Sequence, residues 1–260
     1  MLKTNLPFPR VLTDFLLKKA LFRPTQLAAD HRFVFAEPSE ELFFHTPDGA
    51  RLNALFFPTA QKNKRGTVLY FHGNRDNLQR WGAMHQPFSA LGYDFLAPDY
   101  RGYGKSTGEP DEARYFEDAA LIYNWLRERV AAHDIVLYGR SLGSGMASHL
   151  AARVPARLLA LETPFDSIRG LLTAHWGREK PPFEPTLFFP NDKNVQKTTC
   201  PVLIFHGTRD RVVPFASANN LRNYLKAGDE FVTIEGGSHH NLGEYPHYHE
   251  RLQAWLAAGA

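Results

Sequence analysis

Ile135-Val136-Leu137-Tyr138-Gly139-Arg140-Ser141-Leu142-Gly143-Ser144-Gly145 is the stretch on which the fold turns. An apolar run of strand character ends in Gly-x-Ser-x-Gly, and Met146 to Arg153 continues at once with helix-compatible residues. A serine hydroxyl is a poor nucleophile at neutral pH, so its use needs exposure, a nearby base and N–H donors for a developing oxyanion. A sharp strand-to-helix turn presents the hydroxyl, and glycines at 139 and 143 relieve crowding around it. The helix start adds unpaired N–H groups and the positive end of its dipole. Ser141 is therefore read as a nucleophile.

Working outward, short apolar runs alternate with helical stretches. Strands are expected at residues 67–71, 94–97, 135–138, 158–161, 202–205 and 231–234. Helices are expected near 78–91, 112–132, after Ser141, at 216–225 and at 245–256. This alternation implies an α/β fold with a mostly parallel sheet covered by helices on both faces. Upstream, residues 33–35, 41–45 and 52–57 read as antiparallel strands, with Pro47-Asp48-Gly49 as a turn. Sites in such sheets lie at the C-terminal edge of the strands.

With 260 residues, 43% apolar and 22% charged, the chain has room for one large domain over 33–260, preceded by an extension over 1–32. A net charge of +3 is too mild to suggest nucleic acid as a partner. One cysteine, Cys200, excludes an internal disulfide framework and fits a cytoplasmic setting. No run is long and apolar enough for a membrane span, and charges interrupt the first residues too often for a secretory signal. Residues 8–22 place Phe8, Val11, Leu12, Phe15, Leu16 and Phe22 near a helical period, with Arg10, Lys18, Lys19 and Arg23 among them. A helix packed on the main body is expected there. A basic amphipathic face over 8–23, resting peripherally on a membrane, is the rival reading.

Two patterns mislead. Gly104-Lys105-Ser106-Thr107-Gly108 also fits Gly-x-Ser-x-Gly, but Glu109-Pro110 follows and points to a loop. As a phosphate loop it would need glycine at 99, where Asp99 stands. His239, His240, His247 and His249 cluster near the C-terminus without the cysteine or carboxylate pattern of a zinc site. Nothing calls for a metal or an organic cofactor.

A serine nucleophile needs a base, and the base an orienting acid. The strand at 202–205 runs into His206-Gly207-Thr208-Arg209-Asp210, which places Asp210 on a loop at the correct edge. The last strand runs into Gly236-Gly237-Ser238-His239-His240, so a glycine loop carries two candidate bases to the same edge. Asp166 is the rival acid. His72 and His206, each at a strand end, are read as residues that hold loops in place.

The chain resembles the α/β-hydrolase superfamily, and within it the small serine hydrolases related to membrane-associated protein depalmitoylases. The resemblance rests on Phe71-His72-Gly73-Asn74, Asp99-Tyr100-Arg101-Gly102-Tyr103-Gly104-Lys105-Ser106, the Ser141 motif, Cys200-Pro201-Val202-Leu203 with the Asp210 loop, and Gly236-Gly237-Ser238-His239. It implies Ser141 as nucleophile, Asp210 as acid and His239 as base, with an oxyanion hole at the N–H groups of Asn74 and Leu142. His240 falls where the family often has Asn.

The segment over about 164–198 carries Phe165, Leu171, Leu172, Trp176, Phe183, Leu187, Phe188 and Phe189. It is read as a small cap lining an apolar pocket, with packing in the core as the plainer alternative. The expected activity is hydrolysis of an ester or thioester of a small to medium acyl substrate. A peptidase or amidase, or a binding protein that has kept the fold, are the other readings.

Overall fold

The computed structural model describes residues 10–177 and 183–258, except the side chains of Arg10, Val11 and Asp14. Eight strands form one mixed sheet: β1 Glu40–His45, β2 Arg51–Phe57, β3 Gly66–Phe71, β4 Tyr93–Pro98, β5 Ile135–Arg140, β6 Leu158–Glu162, β7 Val202–Gly207 and β8 Glu230–Ile234. Their spatial order is β8-β7-β6-β5-β3-β4-β2-β1. β1 with β2 and β2 with β4 pair antiparallel, and every other neighbouring pair is parallel.

The apolar runs are strands because the sheet is covered twice. Side chains alternate between faces with period 2. Leu69, Phe71, Leu137, Leu159, Leu161 and Ile204 enter one buried cluster. Their neighbours Val68, Tyr70, Val136, Tyr138, Ala160 and Phe205 enter another. Both classes are apolar, so these strands lack the polar alternation of β1, whose outward residues are exposed. Helices α4 (Glu112–Arg127), α5 (Gly143–Ala151) and α7 (Asn191–Lys197) lie on the first face, and α9 (Pro246–Ala257) covers the second.

Two expectations over 33–91 are corrected. Residues 33–35 are irregular, not a strand. Phe35 packs edge-on against Phe57, with ring centroids 5.0 Å apart, rather than hydrogen-bonding along a neighbour. The helix expected over 78–91 is broken into α2 (Leu78–Trp81), a 3-10 turn (Gly82–His85) and α3 (Gln86–Ala90). Gly82 lies so close to Phe35 that a Cβ there would be 2.4 Å from the ring, and the tight turn accommodates that contact.

Helix α1 (Arg10–Leu21) packs on the body, as expected. Leu17 and the following Phe22 are buried in the first cluster, and Phe22 meets Tyr115 edge-on at 5.3 Å. Leu12, Phe15 and Leu16 remain exposed. Arg23 and Pro24 then form a short parallel ladder with Arg75 and Asp76. Among the described residues, no helix is long and apolar enough to cross a membrane. Phe8 of the expected amphipathic pattern lies outside the described residues.

Candidate active site

Ser141 stands between β5 and α5 with φ +52°, a left-handed conformation that a side chain adopts only under constraint. The flanking glycines have a steric cause. A Cβ on Gly139 would lie 2.5 Å from the Gly143 carbonyl oxygen, and one on Gly143 would lie 2.0 Å from that of Phe71. The turn is held from below as well, because Ser141 N–H donates to the Glu162 carbonyl at 2.9 Å.

Three strand ends converge here. Asp210 follows β7 and His239 follows β8. His239 Nε2 lies 3.0 Å from Ser141 Oγ, and its Nδ1 lies 2.7 Å from Asp210 Oδ2. Asp210 Oδ1 accepts N–H bonds from Val212 and Val213, both at 2.8 Å. Burial pushes the Asp210 carboxyl up, but the His239 hydrogen bond and charge, with the Val213 N–H and His206, outweigh it and hold it below the usual carboxylate range. Asp210 therefore stays ionised and acts as an acceptor for Nδ1–H. That leaves Nε2 as the face that can take a proton from the hydroxyl.

The other candidates fall elsewhere. Asp166 is engaged by Ser217 Oγ at 2.6 Å and Asn220 Nδ2 at 2.9 Å, and ties α6 (Ile168–Trp176) to α8 (Phe215–Asn220). His240 packs edge-on against His239, with centroids 5.0 Å apart, and makes no contact with Ser141 or Asp210 within hydrogen-bond range. His206 is buried, and burial holds its imidazole below the usual range despite the nearby Asp210 charge. Its ring lies 3.0 Å from the Val213 carbonyl, bracing the loop that carries Asp210. His247 and His249 are exposed on α9, and among the described residues no group of His, Cys, Asp and Glu is arranged to hold a metal ion. In the rejected decoy, Lys105 pairs with Glu41 at 2.8 Å and Ser106 Oγ donates to the Asp99 carbonyl at 2.8 Å. Both side chains are committed to the fold.

Asn74 follows β3 and Leu142 follows Ser141. Among the described residues neither backbone N–H has a hydrogen-bond partner, while the Asn74 carbonyl accepts from Arg23 N–H and Tyr103 Oη. Asn74 is thus fastened by its carbonyl with its donor left open.

Two cavities meet at Ser141. One, of about 290 Å³, is walled mainly by Leu17, Leu21, Leu142, Phe165, Leu171 and Leu172, with His175 in its wall and Arg23 on the boundary it shares with the second cavity. The second, of about 170 Å³, is lined by Arg23, Arg75, Arg80, Arg140, His239 and His240, with Trp81 and Gly73. Of the aromatic-rich segment, Phe165, Leu171 and Leu172 line the first cavity, Leu187 and Phe189 are core, and Phe188 is exposed. Pro181 and Pro182 lie outside the described residues. The arginine wall and the part α1 plays in both cavities were not foreseen from sequence. Only Arg140, inside the Gly-x-Ser-x-Gly motif, carried a signal.

A serine on a strand-to-helix turn, with an acid and a histidine on later strand ends in that order, defines an α/β-hydrolase. The chain belongs to that superfamily. A model of the alpha/beta hydrolase fold matches residues 66–163, and a model of the alpha/beta hydrolase family matches residues 164–257. Lysophosphatidylserine lipase ABHD12 of Gallus gallus is 30% identical over 243 residues, 81% of this chain and 63% of that protein. The Danio rerio lysophosphatidylserine lipase ABHD12 is 32% identical over 191 residues, 65% of this chain and 50% of that protein. The chain thus spans between half and two thirds of these relatives' length. Among solved structures, the esterase Pf2001 of Pyrococcus furiosus superposes with a TM-score of 0.71 at 16% identity, covering 91% of this chain and 96% of that one. The hydrolase GrgF from Penicillium reaches 0.69 at 17%, covering 84% and 98%. These last two share the fold.

Proposed function

We propose that the protein is a serine esterase that cleaves single-acyl carboxylic esters through an acyl-enzyme. The observation that carries this reading is the relay from Ser141 Oγ through His239 to Asp210, at 3.0 and 2.7 Å, at the mouth of an apolar cavity. His239 takes the Ser141 proton as Oγ attacks the carbonyl carbon, and the N–H groups of Asn74 and Leu142 receive the oxyanion. One such donor is worth about 3–4 kcal/mol in the transition state. Collapse of the tetrahedral adduct breaks the bond to the alcohol oxygen, which His239 protonates. Water, deprotonated by His239, then attacks the acyl-enzyme and frees the acid.

The two cavities orient the substrate. The leaving oxygen must reach His239, and His239 lines only the arginine-walled cavity. The acyl chain therefore lies in the apolar cavity and the alcohol part in the other. In this reading residues 164–198 form a small cap over the acyl side, and residues 1–32 are an extension whose helix closes the same cleft. The relatives' lipase names favour an ester of a lipid alcohol over a thioester, and no observation favours an amide. The exposed Leu12, Phe15 and Leu16 of α1, with Lys19 beside them, suit peripheral contact with a membrane that supplies such a substrate, from a cytoplasmic setting.

A fluorophosphonate probe tests the reading. It should label the wild type and leave Ser141→Ala unlabelled. Equal labelling of both would remove Ser141 from the role. A p-nitrophenyl ester chain-length series, run beside thioester and aminopeptidase substrates, separates the ester reading from its alternatives.

A further inference from the structure

The lining of the arginine-walled cavity carries positive charge that no carboxylate in that lining balances. Four of its lining residues, Arg23, Arg75, Arg80 and Arg140, are cationic, and none is Asp or Glu. Two have partners: Arg140 pairs with Glu162 at 3.2 Å, and Arg80 with Asp76. The guanidinium groups of Arg23 and Arg75 have no carboxylate partner among the described residues. They are moreover direct register partners in the parallel ladder that joins the end of α1 to the loop after β3. Like charges set opposite each other across a ladder repel. Both side chains are exposed, so water screens much of this repulsion, and their guanidinium donors stand open to an anion at the cavity.

We propose that Arg23 and Arg75 form a subsite for an anionic group, phosphate or carboxylate, carried on the alcohol part of the substrate, with Arg80 at its rim. The proposal rests on the esterase reading and its assignment of the alcohol to this cavity. Guanidinium forks match both oxyanions in two-point geometry, and they bind more strongly where a cleft excludes part of the water. The anion would also relieve the repulsion in the ladder that ties α1 across the cleft. A neutral alcohol of the same size gains neither term. Arg23 and Arg75 thus act as specificity-determining residues, sorting anionic from neutral esters.

The test compares three soluble short-chain esters with one acyl group: an acylglycerol, the same acylglycerol 3-phosphate, and its hemisuccinate. In the wild type, kcat/KM for the two anionic esters should exceed that of the neutral ester by about tenfold or more, one step of binding free energy at this scale. Added salt should shrink the preference. The double variant Arg23→Gln/Arg75→Gln should bring the ratio close to one, and Arg23→Lys/Arg75→Lys should recover part of it. A phosphate-only preference would assign the subsite to phosphate, and equal gains for both anions to any oxyanion. Neutral-ester turnover with no anionic preference would overturn the subsite and leave the esterase standing. Equal losses on all three esters in a folded glutamine variant, unrescued by lysine, would also overturn it, because that is a purely structural role. Silence on every ester would sink the esterase reading itself.

Discussion

His72 Nε2 lies 3.1 Å from Asp99 Oδ1, with both side chains fully buried beneath the turn that carries Gly73 and Asn74. The contact falls off hydrogen-bond alignment, so the two groups are held together by their packing beneath the turn. The His72 ring also lies 2.7 Å from the Gly73 carbonyl, and the His72 carbonyl accepts from Tyr100 Oη at 2.7 Å. Asp99 Oδ2 accepts from Leu78 N–H at the start of α2. Burial pushes the Asp99 carboxyl up, and His72 and the Leu78 N–H draw it back only in part. The pair fixes the turn from which the Asn74 N–H projects. His72→Ala is therefore expected to lower kcat by about tenfold or more with little change in KM, a fraction of the loss seen on removing an oxyanion donor outright. Steady-state kinetics on p-nitrophenyl acetate check it, and a change confined to KM would contradict the positioning role.

The two adjacent histidines should separate cleanly. Only His239 spans Ser141 and Asp210. His239→Ala should cost about 10⁴-fold or more in kcat, as loss of a relay member does. His240→Ala should stay within about tenfold, because its ring touches His239 by an edge contact. Ester hydrolysis by the two variants decides it, and the reverse ranking would move the base to His240.

The core of the sheet and the Ser141 turn were legible because each rests on local rules. Buried parallel strands must be apolar on both faces, and the strand-to-helix turn requires glycines where backbones nearly touch. Asp210 and His239 were legible as candidates by chain order and strand ends, although the choice of His239 over His240 needed the resemblance. Residues 33–35 misled because aromatic alternation marks packing against a sheet face as readily as pairing within the sheet. The arginine wall was illegible for a different reason. Arg23, Arg75, Arg80 and Arg140 share no period or motif, and they meet only because α1 crosses the strand ends and its exit joins the ladder at Arg75.

Glycine packing gives a stability contrast. At Gly143 a Cβ would meet rigid backbone at 2.0 Å, whereas at Gly49 it would meet nothing within 4 Å. Gly49 still has φ +86°, so Gly49→Ala should cost about 1–2 kcal/mol from its left-handed conformation alone. Gly143→Ala should cost about 3 kcal/mol or more, the upper range of overpacking, because the Phe71 strand end cannot move without shifting Asn74. Thermal or urea unfolding ranks the two, and equal losses would show that the turn is looser than its geometry implies.

The Asp210 carboxylate makes a definite pH dependence. Its folded value lies below the ordinary 3.8, so the folded state binds fewer protons there than the unfolded chain. Its contribution to stability is then fully present above the unfolded value and is lost as pH falls through the folded one. Asp210→Asn removes that contribution at neutral pH and has nothing left to lose on acidification. The difference in Tm between wild type and Asp210→Asn should therefore be largest near pH 6–7 and shrink as pH drops below about 4. Calorimetry across that range measures it. A difference that stays constant down to acid pH would mean that the carboxylate is not held by His239 and the Val212 and Val213 N–H groups. In that case the relay to Ser141 would lack its anchor.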